Sequence, residues 1–173
     1  TQIAEHLNFS PSGIWYQLTA TSVGNYVPLV NLSYALDHSI GGLDGFMYHF
    51  QNVVWHIAAC FGLFGCIRLL GVSMVPALFM TLLYAVHPQR SESVAWVAER
   101  RDVMSGAFSF WSAFCYLKYR DRKTFSLSSF ALFLCACLSK PSVVTLPVVF
   151  AMYEIWKSRA FFPVSKYYRL IPY

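Results

Sequence analysis

Apolar positions along this chain come in blocks, and polar positions collect in the gaps between them. Residues 1–45 are mixed and rich in turn formers, with Pro11, Gly13, Gly24, Pro28, Gly41, Gly42 and Gly45. No stretch there stays apolar long enough to cross a bilayer, which takes about 20 residues of helix. Residues 13–22 and 28–40 suit short amphipathic helices lying along an interface. Residues 46–70 are a long apolar block with one charge, Arg68, near its end, enough to span with some tilt. Residues 71–87 form a shorter block ending in His87-Pro88, and residues 103–117 are short again. After a hydrophilic break at 118–123 come blocks at 124–139 and 141–156, separated only by Lys140. The pattern predicts an all-α, polytopic helical membrane protein. It has an external or interfacial region at 1–45, a transmembrane bundle over 46–156 with five segments, and a cytoplasmic segment at 157–173.

Composition supports this reading. Of all residues 57% are hydrophobic and 12% charged, against about 25% charged in an average soluble domain. Aromatics reach 18%, as suits interfacial belts of Trp and Tyr. The net charge of +5 is read through topology and not as a nucleic-acid surface. With residues 1–45 outside, Arg68, Lys118, Arg120, Arg122, Lys123, Lys157, Arg159, Lys166 and Arg169 fall inside, and only Arg90, Arg100, Arg101 and Lys140 outside. That satisfies the positive-inside rule, and the opposite orientation breaks it. Cys60, Cys66, Cys115, Cys135 and Cys137 lie within apolar runs with no CxxC spacing, so they read as buried thiols and not as a disulfide framework or a zinc site.

One gap stands out. Between His87 and Asp102 the chain reads HPQRSESVAWVAERRD, with His87, Arg90, Glu92, Glu99, Arg100, Arg101 and Asp102 between two apolar flanks. Hydrocarbon does not tolerate such groups, so they belong at a membrane surface or in a polar cavity. His87-Pro88 ends one helix, Ser91 is placed to N-cap the next, and Glu92 and Glu99, seven apart, share a face of it. Helices of 15–16 residues are only about 23 Å long and stop short of a ~30 Å core. Their outer ends would then floor a cavity where residues 1–45, the 87–102 cluster and Lys140 meet. A solvated loop with internally paired charges is the competing reading. His49, Asn52 and His56 form a polar stripe on the 46–70 helix, suited to helix–helix hydrogen bonds or to lining that cavity. Lys140, in SKP, suits either snorkelling or a phosphate contact.

Three segments in order, NYVPLVNLSYALDHSIGGLDGFMYHFQNVVWH, LYAVHPQRSESVAWVAERRDVMS and LSKPSVVTLPVVF, make the chain similar to the membrane part of TPR-containing O-mannosyltransferase-like proteins. These resemble cadherin-type O-mannosyltransferases and their bacterial relatives. The resemblance implies a GT-C-type fold and transfer of a sugar, mannose-like, from a polyprenyl-phosphate carrier to an extracytoplasmic protein or glycan acceptor. It implies membrane lipids and a lipid-linked sugar as partners, no nucleic acid, and a site in the bacterial cytoplasmic membrane, or the ER membrane in a eukaryote. On that reading Arg100, Arg101 and Lys140 hold the carrier phosphate, and His49, His87 and Glu92 line the cavity. Glu99 and Asp102 are the candidate carboxylates, orienting the arginines or a divalent cation, with no metal ligand set assigned. The family's acidic pair on the first external loop has no match in Thr1–Gly24. The chain, which starts at Thr1, therefore reads as a fragment not expected to catalyse alone. The competing expectation is a non-catalytic subunit of a larger membrane complex.

Overall fold

Prolines and short polar residues set where the helices begin. The computed structural model describes residues 10–19, 21, 26–120 and 126–158. Among these residues eight helices follow one another: α1 (Pro11–Thr19), α2 (Pro28–Gly41), α3 (Gly45–Leu69), α4 (Met74–Ala85), α5 (Pro88–Ala95), α6 (Arg100–Tyr119), α7 (Leu127–Ser139) and α8 (Leu146–Ser158). Short 3-10 turns at Val97–Glu99 and Pro141–Thr145 precede α6 and α8. Pro28 and Pro88 sit in first turns, where their missing N–H costs nothing. Asp44 caps α3, its Oδ1 accepting from the Phe46 amide at 3.1 Å. Gly42 and Gly71 carry φ of 60° and 92°, the left-handed turns that let α2 and α3 end. No strand occurs among the described residues.

The long helices pack both on a chain neighbour and on a distant partner. α6 lies against α3 and against α7. Its approach to α3 depends on two glycines. A Cβ on Gly62 would come within 3.0 Å of Phe110 Cβ, and one on Gly65 within 2.7 Å of the Phe114 ring. Small residues at a crossing let two apolar helices touch backbone to backbone. Hydroxyls tie α6 to α7: Ser112 Oγ donates to Ser129 O, and Ser129 Oγ to Ser112 O, both at 2.8 Å. At the far end of α6, buried Glu154 of α8 accepts from Tyr116 Oη at 3.1 Å and pairs with Arg120 at 3.2 Å. The Tyr116 and Phe150 rings stack there with centroids 4.3 Å apart.

Burial runs against the soluble pattern. Arg100, Asp37, Asn52 and Glu154 are buried, while Phe46, Phe50, Ile57 and Phe61 on α3 and Val75, Phe79, Leu82 and Leu83 on α4 are exposed. In a water-soluble domain the polar set would be outside and the aromatic set inside. Among the described residues one helix, α3, is long and apolar enough to cross a membrane; α4 and α7 are apolar but shorter.

The elements depart from the pattern-based expectation at instructive places. The third apolar segment starts at Arg100, three residues before its apolar run, because the arginine is itself buried. The last begins as a 3-10 turn at Pro141. His87, not Ser91, caps α5: its Nδ1 accepts from the Gln89 amide at 3.3 Å, so the helix opens at Pro88. α5 then ends at Ala95, and the 3-10 turn that follows denies Glu92 and Glu99 a common helix face. Arg122, Lys123, Arg159, Lys166 and Arg169 lie outside the described residues, as does most of the segment 157–173.

Candidate functional site

The charged run 87–102 folds into two unlike halves. Trp96, in extended backbone, ends α5, and the chain re-enters helix at Arg100. That phase carries Arg100 inward, with no exposed surface, and leaves Arg101 half-exposed. Arg100 Nε donates to Asn52 Oδ1 at 2.9 Å, Nη1 to Gln51 Oε1 at 2.7 Å and Ser33 Oγ at 3.2 Å, and Nη2 to Tyr48 O at 2.8 Å. Asp37 pairs with it at 2.5 Å, and the Tyr34 ring lies 4.4 Å from its guanidinium carbon. Burial pushes the Asp37 carboxyl above its ordinary range although Arg100 opposes this, and burial likewise raises the Tyr34 phenol. Arg100 is thus a bolt joining α2, α3 and α6. An external phosphate has no access to it, so the expectation that it contacts one does not fit its placement.

The other half forms the site. A cleft of about 260 Å³ opens at this end of the bundle. α4 contributes Tyr84 to its lining, α5 Arg90, α6 Asp102, Ser105 and Gly106, and the turn after α7 Lys140. Lys140 Nζ donates to Asp102 Oδ1 at 2.5 Å, and both side chains are partly exposed. The Arg90 guanidinium sits 5.5 Å from the Tyr84 ring centroid. Among the described residues no carboxylate lies within ion-pairing distance of Arg90. Two cations and one carboxylate leave the cleft with surplus positive charge, and Ser105 and Gly106 keep its α6 wall small. Such a cleft takes an anion with oxygen acceptors.

The remaining candidates are distributed around it. Arg101 bonds Glu99 through Nη2 at 2.9 Å, and that contact raises the arginine further. Glu99 is not among the residues lining the cleft. His87, Tyr84 and Arg90 border an adjoining hollow of about 300 Å³. His49 lines a separate one of about 320 Å³ with His56 and Ser91. Glu92 is exposed and lines none of these. Of the polar stripe, Asn52 donates to Val94 O and Trp96 O, and His56 Nε2 contacts Ala85 O at 3.1 Å, so both bind neighbouring elements. The second helix, the charged run and Lys140 meet at one end: Tyr34 Oη donates to Val97 O at 2.7 Å, and Lys140 reaches Asp102. Arg90 was not singled out by the sequence reading as a site residue. Its signals were its place in the charged run and an aromatic, Tyr84, on the other side of the His87-Pro88 turn. Glu99 and Asp102 are each held by a cation, and the described residues offer no group of three or more His, Cys, Asp or Glu for a metal. They do not fit a resident divalent cation, and none enters the chemistry below.

No family model and no solved structure matches the chain. Curated proteins do. It is 39% identical over 141 residues to the protein O-mannosyl-transferase tmtc2 of Xenopus laevis, covering 76% of this chain. The human protein O-mannosyl-transferase TMTC2 is 35% identical over 140 residues. The Drosophila melanogaster protein O-mannosyl-transferase Tmtc1 is 34% identical over 129 residues, or 72% of the chain. The chain spans 15–17% of the length of these relatives. Fold and site define an all-helical bundle with an apolar exterior and a charged cleft at one end. Within that class, the chain belongs to the TMTC family of protein O-mannosyl-transferases.

Proposed function

We propose that the chain is part of a polytopic membrane glycosyltransferase that moves mannose from a polyprenyl-phosphate carrier to a hydroxyl outside the cytoplasm. The observation that carries this reading is the cleft in which Arg90 and Lys140 converge, opening at the end of a bundle whose flank, α4, is apolar and exposed. A phosphate lodged between those cations leaves a polyprenyl tail free to run along α4. In the reaction the acceptor oxygen bonds to the sugar's anomeric carbon, and the bond from that carbon to the phosphate oxygen breaks. The bonding pair leaves with the phosphate, and the hydroxyl proton passes to a carboxylate. Asp102 is the candidate carboxylate within the cleft. Arg90 and Lys140 stabilise the charge that develops on the departing phosphate. Arg101, fixed by Glu99, borders this end as a further cation, and His49 and His87 line the neighbouring hollows. The family relationship, and the relatives' names as O-mannosyl-transferases, support the sugar and the acceptor class.

Transfer by the full-length protein in membranes tests the activity. Radiolabelled mannose is expected to pass from polyprenyl-phosphate mannose, and not from a sugar nucleotide, to a protein fraction. Transfer from the nucleotide alone would sink the carrier reading.

Cysteine labelling tests the topology, using protein whose native cysteines, the five of this chain among them, are replaced by serine. An impermeant maleimide should label a cysteine at Gln89 from outside intact cells. It should reach one at Lys118 only after the membrane is opened. Equal labelling of both positions would remove the membrane arrangement in a bacterial cytoplasmic membrane. For the ER, where the external face is lumenal, sealed microsomes should show the reverse order, with Lys118 labelled at once and Gln89 only after the vesicles are opened.

A further inference from the structure

We propose that Asp102 is an internal competitor for Lys140, so that a phosphate entering the cleft must displace a carboxylate that already holds one of its two cations. This rests on the reading above, in which the cleft holds the carrier phosphate.

The two cations of the cleft are held differently. Arg90 lies over the Tyr84 ring and has no carboxylate partner among the described residues, so it presents itself to an incoming anion. Lys140 is engaged: its ammonium bonds Asp102 Oδ1 at 2.5 Å across the cleft. Both groups line the cleft, and their side chains keep 36% and 22% of their surface exposed. A partly exposed pair of this kind is weak, because water solvates both partners and the lysine stem must be held in one geometry. A phosphate offers Lys140 an equal or stronger charge-assisted bond, and the ammonium is a compact donor on a flexible stem. Its main chain need not move. The Lys140 amide donates to Ala136 O at 2.9 Å and anchors the turn while the side chain changes partner.

Asp102 is equally anchored, in the first turn of α6, and cannot follow the lysine out of the cleft. After the exchange its carboxylate faces the bound phosphate unpaired, which works against binding. The Asp102–Lys140 pair therefore sets the cleft's affinity for phosphate below what its cations would give, and it frees the carboxylate only when a phosphate is present. A pair that merely clasped the turn to α6 would have no such effect on binding.

The test is binding of farnesyl phosphate to the full-length protein in detergent micelles, followed by calorimetry, with inorganic phosphate and farnesol as comparison ligands. Asp102→Asn should bind farnesyl phosphate about three- to tenfold more tightly than the parent, because it frees Lys140 and removes a repelling charge. Lys140→Ala should bind it more weakly, and adding Asp102→Asn to Lys140→Ala should recover only the part of the gain due to charge repulsion. Asp102→Ser serves as a second variant if the asparagine protein elutes as aggregate. Unchanged or weaker binding by the Asp102 variants, with Lys140→Ala still weakening it, overturns the competition and leaves the phosphate site standing. Loss of farnesyl phosphate binding altogether, in parent and variants alike, overturns the phosphate site and this proposal with it. Equal affinity for inorganic and farnesyl phosphate overturns the lipid carrier as the ligand, while a gain with Asp102→Asn still supports the exchange. Farnesol should bind the parent and the Asp102 variants alike; tighter farnesol binding by Asp102→Asn would overturn the proposal, since no phosphate is then competing.

Discussion

Arg100→Met is expected to destabilise the protein by ~3–5 kcal/mol, the cost of leaving a buried charge without its partner. Asp37, almost fully buried, loses its only ion pair among the described residues, and Asn52, Gln51, Ser33 and the Tyr48 carbonyl lose a shared donor. Arg100→Lys should rescue little, since one ammonium cannot serve partners on both sides of a planar fork. Asp37→Leu combined with Arg100→Met should cost less than Arg100→Met alone, because no charge is then left uncompensated. Thermal unfolding of the detergent-solubilised protein measures all three, with a fall in Tm of roughly 10 °C expected for the single methionine variant. A shift below a degree or two would mean that the buried network does not join α2 to the bundle.

Arg90→Ala and Lys140→Ala are each expected to lower mannosyl transfer by the full-length protein about ten- to hundredfold. Each removes a charge-assisted contact to the departing phosphate, worth ~1.5–3 kcal/mol. Arg68→Ala supplies the comparison. Arg68 lies at the far end of α3, where it donates to Val72 O, and its loss should leave transfer within about twofold. Unfolding temperatures separate lost chemistry from lost structure: the cleft variants should melt close to the parent, unlike Arg100→Met. Parental transfer by Arg90→Ala would remove the cleft from the reaction.

The contrast between these variants bears on how much the sequence revealed. Helices were legible because their determinants are local. Apolar run length fixed α3 to within a residue or so at each end, and Pro28 and the Gly41-Gly42 pair bounded α2. The charged run at 87–102 was legible as a place of interest because charges between apolar blocks need a polar home wherever the chain goes. The pairing of Asp102 with Lys140 was not. They are 38 positions apart, and nothing in either segment specifies the other. The N-cap of α5 was misread as Ser91 because Pro88, with His87 before it, starts the helix four residues earlier.

The amino-acid sequence by itself determined that the chain is a series of helices with a cluster of charges between two of them. It also supplied the family, through three motifs in order. Only the tertiary structure decided which charges are available. Arg100 and Arg101 are neighbours of identical chemistry, but successive residues on a helix point about 100° apart. The docking of α2 and α3 against α6 turned one toward Asp37, Asn52 and Gln51 and left the other with Glu99. The same packing brought Arg90 over Tyr84 and into the cleft with Lys140. Those outcomes depend on surfaces contributed from 38 to 67 positions away, as in the bonds from Lys140 to Asp102 and from Arg100 to Ser33, and no local pattern encodes such distances.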